Sequence, residues 1–334
     1  MVVIFTVLQV EMFIRNARIL VDPEAGLWSD ELHWQDGAIV DASSSDKGDR
    51  QAFDGGGDLF IPGVIDLHTD ALEGRLMPRP GVDWPGRAAM LAHDSDVIGA
   101  GVTTSFNAVA IGTSSRKPER MALIEPFVQA VQSARAEKVL RADHRLHFRC
   151  EVTDPLMPET LEALLERVHP DAMSIMDHAP GKRQVRDVED MVQWMVARRG
   201  ETADRARAFA ADFIRESEEN GAARSLLVAE HARGLGIALA THDDETPEHV
   251  AFANAIGAHY AEFPVTRLAA EAAVASGLPT TMGAPNVVRG QSSGGNVDAR
   301  SLIHEGLVTA LLSDYVSSSQ LHAVARLIDE GLDE

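Results

Sequence analysis

From Leu59 onward the chain alternates apolar runs with amphipathic stretches, and each run ends in polar or ionisable residues. The runs are "LFIPGVIDLHTD", "GVTTSFNAVA", "RLHFRCEV", "AMSIMDH", "IALATHDD", "AEFPVT", "PTTMGAPN" and "TALLSDY". Between several of them lie amphipathic stretches such as Pro158 to Val168 and "AARSLLVAEHARGLG", which ends at a glycine. Continuous apolar strands separated by helices predict a parallel sheet covered on both faces. Eight such units predict a TIM-like (β/α)8 barrel over residues 60–334. An open doubly wound sheet is the main alternative. No Gly-x-Gly-x-x-Gly turn follows any run, so a dinucleotide-binding fold has little support. The longest helical insertion, about Val185 to Gly234, is charge-rich and reads as a solvated lid or flank.

The chain before the first run has a different texture. "MFIRNARILVD" and "ELHWQDGAIVDA" are short strand patterns divided by Asp, Gly and Ser, and "DKGDRQAFDGGGD" is a polar connection with poor core potential. Residues 1–59 therefore read as a small β-sandwich domain. The recognisable pattern begins at Met12. The apolar residues before it read as an upstream extension or a misplaced start, too short for a membrane span and without the basic region or cleavage site of a signal peptide.

Composition narrows the partners. A formal net charge of −21 argues against non-specific nucleic-acid or anionic-membrane binding, both of which need a positive field. The single cysteine, Cys150, rules out an intramolecular disulfide and fits a reducing cytoplasm. Local basic clusters could still hold an anionic substrate, since net charge does not describe a pocket, and a homo-oligomer stays open.

In a parallel barrel, reactive side chains gather where strands end. Here the ends carry His68 and Asp70, then Glu151, His178, His242 and Asp314. Imidazole nitrogens and carboxylate oxygens suit zinc, manganese or iron(II). His68 and Asp70, two apart on one strand, point to one side and can share an ion. Taken singly, a strand-end His is more often a hydrogen-bonded structural residue, and an Asp more often a helix cap. Six such residues at the ends of five runs, two of them on the first, favour a metal site.

Six ligands exceed what one catalytic zinc takes with an open position, which predicts two divalent ions. Glu151 would bridge them, with His68, Asp70 and Asp314 on one ion and His178 and His242 on the other. Asp314 could also accept the proton of an attacking water. Basic and polar residues follow several runs: Arg75, Arg79 and Arg87, then Lys182 and Arg183, then Asn286, Arg289 and a Gly/Ser loop. Any one of these is a common surface residue. Together, in an acidic chain, they favour phosphate binding. His93 and Asp94 fall on a helix, as a supporting pair, a substrate contact or an additional ligand. His144 and His147 read as structural. Asp243 and Asp244 either orient His242, bind a ribose, or cap a helix beginning at Pro247. Glu262 has the same ambiguity.

The segments "PGVIDLHTDALE", "PRPGVDWP", "HDSDVIGAGVTT", "HRLHFRCE", "MDHAPGKRQ", "HDDETPEHV", "AEFPVT", "GAPNVVRGQSSGGNV" and "LLSDYV" run collinearly from Pro62 to Val316. They resemble the amidohydrolase superfamily of metal-dependent (β/α)8 barrels. Within it they resemble the diphosphatases that act on a ribose 5-triphosphate in the carbon–phosphorus lyase pathway of phosphonate catabolism. The resemblance implies hydrolysis to the 5-phosphate and pyrophosphate. It carries the ligand role onto His68, Asp70, Glu151, His178, His242 and Asp314, and substrate contacts onto Arg79, His93, Lys182, Arg183, Asp243, Asn286 and Arg289. His68-x-Asp70 departs from the more usual His-x-His of the superfamily, which makes manganese or iron(II) suitable beside zinc. Ser293 stands where the family tends to have a His. The family also continues beyond the position of Glu334, which implies an incomplete β-domain here. The competing readings are an amidohydrolase acting on a cyclic amide or N-acyl bond, and a catalytically impaired relic of the pathway.

Overall fold

The computed structural model describes residues 12–23, 25–35, 37–40, 51–112, 118–185, 187–292 and 295–332. The opening apolar segment, part of the polar connection after Val40, Ser293 and the last two residues lie outside the described residues. The chain divides into two compact units, residues 1–64 and 65–334.

The first unit holds β1 (Met12–Arg15), β2 (Arg18–Asp22), β3 (Leu27–Ser29), β4 (Leu32–Gln35), β5 (Ala38–Val40), β6 (Gln51–Asp54) and β7 (Leu59–Phe60). They form two small sheets, in the orders β5-β4-β1-β6 and β3-β2-β7. Ile14, Ala17 and Ile19 are its buried centre, with Leu32, Trp34, Phe53 and Phe60 packed against them.

The larger unit is built on β8 (Val64–Thr69), β9 (Val102–Ile111), β10 (Asp143–Glu151), β11 (Ala172–Met176), β12 (Ala238–His242), β13 (Tyr260–Glu262), β14 (Thr280–Gly283) and β15 (Ala310–Leu312). Each strand neighbours the next in sequence, and every pairing from β9 to β15 is parallel. A parallel bridge between Thr69 and Asp314 joins the first strand to the last. There the Asp70 N–H donates to the Asp314 carbonyl at 2.9 Å, and the Asp314 N–H to the His68 carbonyl at 3.0 Å. The sheet is thus a closed eight-stranded (β/α)8 barrel. Asp66 reinforces the seam: its carboxylate accepts from the Ser313 N–H at 3.0 Å and the Ser313 hydroxyl at 2.6 Å.

Alternation along β10 shows why these strands read as nearly continuous apolar runs. Leu146, Phe148 and Cys150 belong to the apolar layer that also holds Phe127, Val131, Leu161 and Met173. Burying each such side chain contributes about 1.5–3 kcal/mol. The alternate residues, His147, Arg149 and Glu151, bond to groups on other strands inside the barrel. Burial on both faces leaves no solvent-facing side, and the polar residues of β10 are those turned into the barrel.

Helices follow the strands, and their ends are set by local chemistry. Thr246 and Thr266 cap the helices Pro247–Ile256 and Arg267–Ala275 through their side-chain oxygens, and Gly236 and Gly257 close helices in the left-handed conformation. Thr246, rather than Asp244, is therefore the cap before Pro247. The charge-rich insertion forms the helix Val188–Arg199 and a nearly continuous run of helix from Ala203 to Leu235, interrupted by a π-turn at Ser217–Gly221. Its end is not a lid: Val228, Ala229 and Ala232 enter the main core. Its first part packs as a satellite around Met191, Val192, Met195, Ala206 and Ala210. No helix among the described residues is long and apolar enough to cross a membrane.

Candidate metal centre

The C-terminal strand ends bring His68, Asp70, His178, His242, Asp243, Glu262 and Asp314 together. Among the described residues three overlapping groups have one donor atom from each member within 4.8 Å of the others: His68, Asp70 and Asp314; His178, His242 and Asp243; and His68, His242 and Glu262. His68 and His242 each belong to two groups, so the whole is one continuous donor set.

Each side chain is held by its neighbours. His68 lies fully buried, with Nδ1 donating to Glu262 Oε1 at 3.2 Å. Burial holds its pKa well below the ordinary imidazole range, so it is neutral and able to ligate. Glu151 accepts from His178 Nδ1 at 2.5 Å, from the His178 N–H at 3.2 Å, and from the Thr153 hydroxyl at 2.6 Å. Burial opposes the charge on Glu151, but His178 outweighs it and leaves its pKa lowered. This contact fixes the His178 tautomer and turns Nε2 toward Asp243, whose Oδ2 lies 3.6 Å away. Glu151, expected as a bridging ligand, falls in none of the three groups; its oxygens accept from His178 and Thr153.

His242 Nδ1 stands 2.8 Å from Asp243 Oδ2, close enough for an ion pair, yet the two atoms are not aligned for a hydrogen bond. Burial disfavours charge on both. Asp243 nevertheless leaves the His242 pKa raised, and His242 leaves that of Asp243 lowered. His68 Nε2 and Glu262 Oε2 are likewise buried without a hydrogen-bond partner. Buried polar atoms left without a hydrogen-bond partner are costly unless another group, such as a cation, satisfies them. The donor set therefore fits a divalent metal by its own geometry as well as by its chemistry. Asp243 (φ 57°) and Asp314 (φ 56°) both take the left-handed conformation as the chain leaves its strand, and so does Phe263 (φ 53°). Such residues store about 1–3 kcal/mol of strain each. Asp314 has its pKa pushed up to about 7, by burial first and then by the charge of Asp70.

The donor set opens into a cavity of about 290 Å³. Arg149, Arg120 and Arg289 contribute cations to its wall, joined by Gln184, Asn286, Ser292, Asn296 and Tyr315. Asn286 and Arg289 thus stand where an anionic substrate would meet them. Asp243 is among the donor atoms themselves. The other expected substrate contacts lie outside the wall. Arg79 is exposed in a tight turn with Val82. His93 is buried toward the N-terminal end of β10, its Nε2 on Asn107 at 2.9 Å, in a cluster with His144 and Asp94. Lys182 pairs with Asp177 at 3.2 Å and with the Ser217 hydroxyl. Arg183 donates through Nη1 to the His242 carbonyl and to Asp244, each at 2.8 Å, which braces the end of β12. Ser293 lies outside the described residues.

Sequence reasoning passed over Arg149 and Arg120. Arg149 sits inside the apolar run "RLHFRCEV", and only its position two residues before Glu151 signals that it faces the same way.

A closed parallel barrel with imidazole and carboxylate donors at its strand ends is the architecture of a metal-dependent hydrolase. The fold is similar to that of an uncharacterized metal-dependent hydrolase from Pyrococcus furiosus, at 10% identity and a TM-score of 0.57 over 95% of this chain and 88% of that one. It is similar as well to dihydropyrimidinase from Brevibacillus agri NCHU1002, at 11% identity and a TM-score of 0.54 over 96% and 77%. No family model matches the chain. In sequence the chain is 36% identical over 319 residues to alpha-D-ribose 1-methylphosphonate 5-triphosphate diphosphatase of Escherichia coli (strain K12), spanning 96% of this chain and 84% of that protein. The chain belongs to the family of that diphosphatase.

Proposed function

We propose that this protein is a metal-dependent diphosphatase that hydrolyses alpha-D-ribose 1-methylphosphonate 5-triphosphate to the 5-phosphate and pyrophosphate, in phosphonate catabolism. One observation beyond the family relationship carries the reading: the cavity wall that holds Asp70, His178, His242, Asp243 and Asp314 of the donor set also holds three arginines. The ring of a cyclic amide carries no charge and a carboxylate substituent adds only one, whereas a triphosphate offers several for those arginines to meet.

We assign the metal to His68, Asp70, His178, His242, Asp243 and Asp314, with room for two ions drawn from zinc, manganese or iron(II). When bound, the metal would lower the pKa of a water and neutralise charge on phosphoryl oxygens. The remaining roles fall to the chain. Asp314, at the cavity wall, takes the proton of the water that attacks the phosphorus nearest the ribose. The bond from that phosphorus to the oxygen of the departing pyrophosphate breaks. Arg120, Arg289 and Asn286 stabilise the charge that leaves with it. Glu151 keeps His178 in register. The reading keeps the enzyme in the reducing cytoplasm, without nucleic-acid or membrane partners, in line with its charge and its single buried thiol.

Hydrolysis in water enriched in ¹⁸O tests the point of attack. The label is expected in the ribose 5-phosphate, read by mass spectrometry. Label in the pyrophosphate alone would place the attack at the middle phosphorus and overturn this arrangement.

A further inference from the structure

Arg149 lies between two of the three donor groups. Its Nη1 is 3.1 Å from Asp70 Oδ2, in the group with His68 and Asp314, and its Nη2 is 3.4 Å from His242 Nε2, in the group with His178 and Asp243. The side chain is 10% exposed, lines the cavity, and its Nε has no hydrogen-bond partner. A guanidinium keeps its charge at any working pH. It therefore places a fixed positive charge against one carboxylate that an ion at the Asp70–Asp314 end would need. The His178–Asp243 end differs. There the guanidinium reaches no carboxylate: its contact is His242 Nε2 at the longer 3.4 Å, and Asp243 Oδ2 pairs with His242 Nδ1 at 2.8 Å.

On the metal-dependent reading of the site, we propose that Arg149 sets the order of metal loading. The His178–His242–Asp243 end is the tight position. The Asp70–Asp314 end is the weak one, because an ion entering there must displace the guanidinium from Asp70 and repel it at close range. Two like charges a few ångströms apart in a partly desolvated site interact strongly. Released from Asp70, the guanidinium still borders the cavity and has its full set of donors for a phosphoryl oxygen. The unequal pair thus belongs to the chain and does not depend on which substrate it takes.

Titration of the metal-free full chain with Mn²⁺ alone, followed by calorimetry and by electron paramagnetic resonance of the unbound ion, tests this without any turnover. The wild type is expected to bind one ion tightly and a second at least tenfold more weakly. Arg149→Met is expected to tighten the second step at least tenfold and leave the first within threefold. Arg149→Lys, which keeps the charge, is expected to behave as wild type. Asp70→Asn is expected to abolish the weak step alone, and it reads the location of that step even if Arg149→Met fails to fold. Two equal steps in the wild type would overturn the proposal. So would loss of the tight step in Asp70→Asn, or an unchanged second step in a folded Arg149→Met. Failure of the substrate assignment would leave all these titrations as they are.

Discussion

Asp314 ends its strand in the left-handed conformation and lies in one donor group with His68 and Asp70. If it accepts the water proton, Asp314→Asn should lower kcat by about 10²–10⁴-fold, the usual contribution of a general base. The tight metal position lies in a different group, so one equivalent of metal should remain bound. Steady-state kinetics with elemental analysis of the same preparation checks both, and a loss of less than threefold would remove the role. Much at this scale was legible in the sequence, because a strand end can be read from where an apolar run stops. His68, Asp70, His178, His242 and Asp314 all sit at such stops and come together in the barrel. What the sequence hid was contact. Asp243 could not be separated from a cap or an orienting residue, and Glu151 could not be seen to spend its oxygens on His178 and Thr153. Arg149 looked like part of a core strand because its neighbours, Phe148 and Cys150, are core.

The elements tell a similar story at a larger spacing. The eight runs announced eight strands, since burial on both faces leaves an apolar signature that no loop imitates. The helices were harder, because amphipathic pattern does not say which face meets which strand. His93 shows the consequence. Its helix, Gly86–Gly99, turns it inward to Asn107, far from the donor set in connectivity and toward the opposite end of β10, where it joins His144 and Asp94. Burial, with the nearby His144, pushes the His93 pKa down to about 3. A depressed folded-state pKa gives stability that is present above the unfolded value and lost as pH falls below it. The window therefore runs from about pH 6.5 down toward 3. Between pH 7 and pH 4.5 the protein should lose about 2–3 kcal/mol through this group. Denaturant unfolding of wild type and His93→Gln at the two pH values checks it: the variant should show a correspondingly smaller acid loss, and an equal loss in both would discharge His93 of the effect.

For the whole molecule, closure of the sheet is what turns scattered residues into a site. Thr69 and Asp314 lie 245 residues apart in the chain and are bonded across the barrel seam. No local pattern in the sequence could show that contact; it followed only from counting strands. The net charge of −21 makes the arginines of the cavity wall the more informative, because the chain as a whole carries the opposite sign. The central claim is that this wall and the metal-donor set act together on a triphosphate. Phosphorus NMR of the products formed from alpha-D-ribose 1-methylphosphonate 5-triphosphate tests it most directly, with metal-loaded and chelator-treated protein side by side. The account predicts pyrophosphate and the ribose 5-phosphate in equal amounts from the loaded protein, and neither after chelation. Stepwise release of orthophosphate, or no phosphorus product alongside turnover of a cyclic amide, would contradict it.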